Sequence, residues 1–307
     1  MEPILVEVVR GAVVEARHRV HAVAVEEGRV LAGAGDPRLV AFLRSAAKPL
    51  QALPVVRARP DLEAREIAIA CASHLARAEQ LDAVRALLAR APAREEELEC
   101  GPEPTPLEHN CSGKHAAMLA LCRARGWPSE GYRLAEHPCQ RAMLAEVAAA
   151  AEVEPASVPV AVDGCGVATF ALPLERMARA FAVLERREGG PRVAGAMRSY
   201  PELIRGPEAA DVRLMLRLPG WIAKVGAEGL LCAASPHGLG LALKVEDGSG
   251  RAVAPALAVF LSRLGVDAGD LGEAPLRNSR GELVGELRIA SERTRRRSPL
   301  PEIDMSD

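Results

Sequence analysis

Alternation of apolar and polar residues is confined to the two ends of this chain, and that confinement restricts the fold more than any other feature. Residues 4–33 read as strands: Val20, Ala22 and Ala24 alternate with His21 and Val23, and Glu26-Glu27-Gly28 forms a hairpin turn before Arg29-Val30-Leu31-Ala32. The last third returns to strands over 220–226, 230–234, 239–245 and 283–289, with a turn at Asp247-Gly248 and a helix over 255–264. Between them lie helical patterns over 78–88, 137–151, 174–187 and 192–200, an apolar helical run over 116–121, and one short extended segment at 158–162. Strands at both ends with helices between predict an α/β (α+β) fold. Its mostly antiparallel sheet would come from about 1–60 and 215–290, and its helical part would span about 61–214. Residues 1–290 then form a single domain, and 291–307, with Arg293 and Arg295 to Arg297, a frayed, flexible tail.

Composition narrows the function. A formal net charge of −2 and an aromatic content of 3% give no case for nucleic acid or an anionic membrane. The start, Met1-Glu2-Pro3, has no export signal, and no uncharged stretch approaches the roughly 18 residues of a membrane span. The chain therefore reads as soluble and cytoplasmic. Seven cysteines, an odd number, fit reduced and mostly buried thiols rather than a disulfide framework. The chain holds 39 Lys plus Arg, yet only four are lysines: Lys48, Lys114, Lys224 and Lys244. Arginine cannot give up its proton, whereas a desolvated lysine becomes neutral and can act as a base or a ligand. Lysines kept against this bias are candidates for work that arginine cannot do, although for Lys244 chance retention is the simpler account.

Five segments carry the candidate chemistry. In Leu43-Arg44-Ser45-Ala46-Ala47-Lys48-Pro49 a hydroxyl and an amine stand three residues apart, which on a helix places them on one face. Pro49 fits a first helical turn, so Ser45 would sit at a helix start, where the positive dipole end favours an oxyanion. Cys71-Ala72-Ser73-His74 supplies a second hydroxyl and Lys224-Val225-Gly226 a second amine. Together these match the plan of serine acyl-enzymes that use lysine as base. Each also has a plainer reading: Ser73 as a helix cap, His74 as a hydrogen-bonded surface or core histidine, Lys224 as the partner of Glu228. Cys111-Ser112-Gly113-Lys114 and Asp163-Gly164-Cys165-Gly166 could bring two thiolates together as soft ligands suited to zinc. Spacing favours His115 as the third ligand; Lys114 qualifies only when neutral. The alternative is two buried cysteines beside glycines that the backbone needs.

Five blocks in order, Arg-Ser-x-x-Lys-Pro at 44–49, Cys-Ala-Ser-His at 71–74, His-Asn-Cys-Ser-Gly-Lys-His at 109–115, Asp-Gly-Cys-Gly at 163–166 and Lys-x-Gly-Ala-Glu-Gly at 224–229, resemble the rhizobial-type (class 3) L-asparaginase family. The resemblance implies a fold related to serine β-lactamases and glutaminases, a homodimer, and hydrolysis of L-asparagine to L-aspartate and ammonia. It implies two Ser-Lys pairs, Ser45 with Lys48 and Ser73 with Lys224, and zinc held by Cys111, Lys114 and Cys165. Backbone N–H groups near Ser45 and Gly226 would hold the oxyanion, and Arg44, Asn110, Asp163 and Glu228 the substrate's α-amino and α-carboxylate groups. Departures from the family pattern fall at Leu75, Ala76, Arg77 and Gln80, at Ala117, at Val167-Ala168, and at Ala210-Asp211-Val212. They leave the chemical groups in place while bearing on substrate fit, so glutamine or another small amide, or a catalytically silent zinc protein of the same fold, are the alternatives.

Overall fold

The structure is a computed structural model that describes residues 1–290; the expected tail from Ser291 lies outside the described residues. The chain opens with β1 (Ile4–Arg10), β2 (Val13–Glu26) and β3 (Arg29–Ala34). It ends with β7 (Ile222–Gly226), β8 (Leu230–Ala234), β9 (Gly240–Val245), β10 (Pro275–Arg277) and β11 (Leu283–Ile289). These form one eight-stranded sheet in the order β10-β11-β1-β2-β9-β8-β7, with β3 added alongside β2. Every pairing is antiparallel, and the β2–β9 ladder, from Val20↔Val245 to Val25↔Gly240, joins the two ends of the chain. The alternation at both termini is thus used as expected: each end supplies half a sheet that has no partner until the other end arrives.

The intervening residues form most of the helices: α1 (Lys48–Ala58), α2 (Ala64–Ala70), α3 (Ala78–Arg90), α4 (Ser112–Arg125), α5 (Pro138–Ala151), α6 (Leu174–Leu184), α7 (Gly190–Ser199), α8 (Pro201–Ile204) and α9 (Ala210–Arg217). A last helix, α10 (Val253–Arg263), follows β9. Helix α1 is buried almost throughout and packs against α4, α5 and α7, so it is the spine of the helical part. Helices α6 and α10 both pack on β2, which is buried at every position from Val20 to Val25. That double cover explains why alternation fades there.

The middle is not wholly helical. A three-stranded sheet of β4 (Val40–Phe42), β6 (Ala168–Pro173) and β5 (Val160–Val162) stands within it. Strand β5 is the expected extended segment. Strand β6 went unread because its first five residues are all buried, which leaves a continuous apolar run without a period.

Candidate active site

Strand β4 delivers the first segment. The Leu43 N–H donates to the Phe170 carbonyl of β6 at 2.9 Å, and the Arg44 N–H donates to Thr169 Oγ1 at 3.2 Å. Arg44 has φ of 48°, the left-handed region that costs a non-glycine residue energy and persists only where the surroundings enforce it. The chain then makes a 3-10 turn over Arg44–Ala47 and enters α1, with Pro49 in the first turn as expected. Ser45 is left half-buried and Lys48 buried. Strand β7 packs against this turn, and Gly226 permits the approach: a Cβ there would lie 2.7 Å from the Leu43 carbonyl oxygen.

Lys48 reaches a different hydroxyl from the one expected. Its amine donates to the Ala72 carbonyl and, at 3.1 Å, to Ser73 Oγ, while no hydrogen bond joins it to Ser45. Ala72 and Ser73 lie just past the end of α2, in the loop that brings both oxygens within reach of the amine. Ser73 is no helix cap, since α3 is capped at Arg77. Its loop is fixed by the Ser73 N–H donating to the Ile204 carbonyl at 2.8 Å and the His74 N–H to the Asn110 carbonyl at 3.2 Å. His74 is a buried, satisfied core histidine: Nδ1 accepts from the Ala76 N–H at 3.1 Å, which leaves Nε2 to donate to Ser112 Oγ at 2.8 Å. Burial, with Lys48 nearby, lowers the pKa of His74 to about 4.

Lys224 is fully buried on β7, and its partner is neither Ser73 nor Glu228 but Asp211. The amine donates to Asp211 Oδ2 at 3.3 Å and to the Val225 carbonyl at 3.0 Å. Asp211, itself fully buried at the start of α9, also accepts from the Val225 N–H at 2.9 Å and the Val212 N–H at 3.0 Å. Burial brings the Lys224 pKa down to about 8 against the pull of Asp211, with Lys48 and Arg205 adding to the decrease. Burial likewise pushes the Lys48 amine below the ordinary lysine range. Of the three amines that the lysine count singled out, Lys48 and Lys224 are thus both desolvated, and Lys114 is buried as well; only Lys244 is not.

The two cysteine segments also converge. Cys111 caps the start of α4, Cys165 sits in the turn before β6, and Lys114 Nζ donates to Cys165 Sγ at 3.2 Å. The Cys111 thiol lies well below the ordinary thiol range through its hydrogen bond with Cys165 and the nearby Lys48 and Lys114, and the Cys165 thiol is correspondingly raised. Burial opposes the charge on Lys114, but Cys165, Cys111 and Asp163 outweigh it and hold the amine protonated. His115 does not join them: Nδ1 pairs with the Tyr132 hydroxyl at 2.7 Å, and Nε2 is buried without a partner among the described residues. Among those residues no three His, Cys, Asp or Glu side chains are arranged to hold a metal, and the amine that stands beside the two thiols is that of Lys114. Two thiols and an amine form a soft donor set compatible with zinc once Lys114 releases its proton. All seven cysteines are free and buried, as expected.

Arg44 and Asp163, both half-buried, pair with each other at 2.6 Å. Asn110 contributes its carbonyl while its side chain is exposed, and Glu228 lies in the exposed β7–β8 turn with its carboxylate beside Gly248. Sequence reasoning missed the roles of Asp211 and Gln80. Asp211 stood out only as a departure from a pattern, and nothing in spacing ties 211 to 224. Gln80, fully buried, accepts from the Leu75 and Arg77 N–H groups at 2.9 and 3.2 Å. It donates to the Glu202 and Arg205 carbonyls at 3.0 and 2.8 Å, fastening the Ser73 loop to the end of α8.

No curated protein matches the chain in sequence. Among solved structures it is similar to Mglu in its native form in the presence of 4.3 M NaCl, at 15% identity and a TM-score of 0.38 over 82% of this chain. It is likewise similar to Mglu in its native form and in its glutamate form, each at 16% identity and a TM-score of 0.36 over 82% of this chain. The chain spans 62%, 66% and 62% of those three chains. The model of a family described as L-asparaginase II matches residues 6–289. That match embraces both halves of the sheet and every candidate residue between them, and the chain belongs to the L-asparaginase II family.

Proposed function

We propose that the chain hydrolyses the side-chain amide of L-asparagine to L-aspartate and ammonia through an acyl-enzyme on Ser45. The family assigns a hydrolase acting on amides; the observation that carries the finer reading is a buried Lys48 amine, one turn after Ser45, hydrogen-bonded to Ser73 Oγ. Ser45 is the nucleophile because it is half-buried, and so within reach of a substrate, whereas Ser73 is buried. Its Oγ attacks the amide carbon as its proton passes to the Lys48 amine, which burial disposes toward the neutral form. Backbone N–H groups near Ser45 and Gly226 hold the oxyanion. The C–N bond then breaks as Lys48 returns the proton through Ser73 to the departing nitrogen, and water cleaves the acyl ester by the same route. Lys224, held by Asp211, remains a fixed cation that favours negative charge in the transition state.

Arg44 and Asp163 receive the substrate's α-carboxylate and α-amino groups by opening their mutual ion pair. Asn110 and Glu228 would need to turn inward to assist. Zinc would be held by Cys111, Cys165 and deprotonated Lys114, where it supplies Lewis-acid charge. This reading carries a homodimer and a cytoplasmic location with it. Among the described residues no helix is long and apolar enough to cross a membrane. The test is ammonia release from asparagine, glutamine and simple β-lactams, with and without chelator. Ser45→Ala should lose roughly 10⁴-fold or more in turnover with an unchanged fold, and full activity in that variant rejects the nucleophile.

A further inference from the structure

A cavity of about 600 Å³ lies beyond β7, between α9, the start of α10, and β10. Lys224 does not line it, but its strand neighbours Val225 and Gly226 do. Its wall is unusually basic. Arg205, Arg213, Arg251 and Arg277 face it, against two carboxylates, Glu208 and Glu273.

In this chain arginines are commonly neutralised by carboxylates, as Arg57 and Arg187 are by Glu146. Around the cavity the pattern breaks. Arg213 donates to the Glu273 and Asp270 carbonyls at 3.3 and 2.6 Å, Arg277 to the Gly281 carbonyl at 2.8 Å, and Arg251 to His18 Nε2 at 3.0 Å. None of these three, nor Arg205, forms a carboxylate ion pair among the described residues, although Glu208 and Glu273 stand in the same wall. Guanidiniums held by neutral acceptors keep their full charge, and their planar forks match carboxylate and phosphate oxygens. The volume suits a small metabolite.

We propose that this cavity binds a small molecule through a carboxylate or phosphate group, at a site that meets the candidate active site only at Gly226. Two of its arginines are joined to the proton-handling residues. The Arg205 carbonyl accepts from Gln80, which fastens the Ser73 loop. Arg213 lies on α9, the helix whose first turn carries Asp211, the partner of Lys224. A ligand that draws these arginines inward acts on both at once, so binding here modulates the hydrolase.

The test is calorimetric titration of the full chain with inorganic phosphate and, separately, with succinate, chloride holding ionic strength constant. Saturable binding of phosphate alone assigns a phosphate-bearing ligand and of succinate alone a carboxylate-bearing one; binding of both supports the shared chemistry. The single variants Arg205→Gln, Arg251→Gln and Arg277→Gln are expected to weaken that binding about tenfold each. Arg277, exposed on β10, can be replaced with little risk to the fold. No saturable binding of either anion, or affinities unchanged in the variants that fold, overturns the proposal. Neither result depends on whether asparagine is the substrate.

Discussion

The proposed chemistry draws on four buried side chains besides Ser45, namely Lys48, Lys224, Cys111 and Cys165, and their partners differ in kind. Lys48 is hydrogen-bonded to neutral acceptors, Ser73 Oγ and the Ala72 carbonyl, and burial, with Lys114 nearby, depresses it against the pull of Cys111 and Cys165, which suits it to serve as a base. Lys224 faces a carboxylate and titrates at about 8, so it is charged at neutral pH and loses that charge as pH rises through about 8. Activity that uses the charge falls on the alkaline side. Asp211→Asn removes the group that favours the ammonium form, and the alkaline limb of kcat/KM should move to lower pH by about 1 unit or more. A limb that stays in place would detach Lys224 from the reaction. Cys111 and Cys165 make the corresponding claim for zinc: Cys111→Ser or Cys165→Ser should purify without the metal that the unaltered protein retains, as read by elemental analysis. Equal zinc in all three would disconnect the thiols from it. The lysine count pointed to these residues because desolvating a lysine is costly, and three of the four are buried. The pairing within the set was not legible, since Ser73 and Lys48 meet only after α1 and α2 pack.

At the level of elements, the site lies where three backbone ends meet: the 3-10 turn before α1, the loop after α2, and β7. Gln80 holds the second in place, with its carboxamide spanning the Leu75 and Arg77 N–H groups and the Glu202 and Arg205 carbonyls. Gln80→Ala leaves these buried groups unsatisfied and should cost about 1–3 kcal/mol in chemical denaturation. It should also lower kcat more than it raises KM, because Ser73 loses its position while Arg44 and Asp163 do not. A change in KM alone would mean that Gln80 shapes binding rather than the proton path. The motif Cys-Ala-Ser-His identified the loop, but Gln80 stood in the sequence only as a departure, since a buried carboxamide has no periodic signature. Strand β6 was hidden for a related reason, being buried on both faces.

Over the whole molecule, a sheet joined across the two ends of the chain makes the site a long-range product. Val20 meets Val245 across the sheet, and Ser45 lies far in sequence from Gly226, whose strand packs on its turn. The sequence revealed the architecture because alternation survives wherever one sheet face is less covered, and it revealed the blocks because chemistry constrains residue type. It could not reveal that β7, an edge strand, carries the candidate catalytic Lys224 and also borders an arginine-lined cavity through Val225 and Gly226. The central claim is that Ser45 carries the acyl group. Mass spectrometry of the protein acid-quenched during its first turnovers of L-asparagine tests it most directly. The account predicts a transient aspartyl adduct on the peptide containing Ser45, absent from Ser45→Ala; an adduct on Ser73, or turnover with no adduct on any serine, would contradict it.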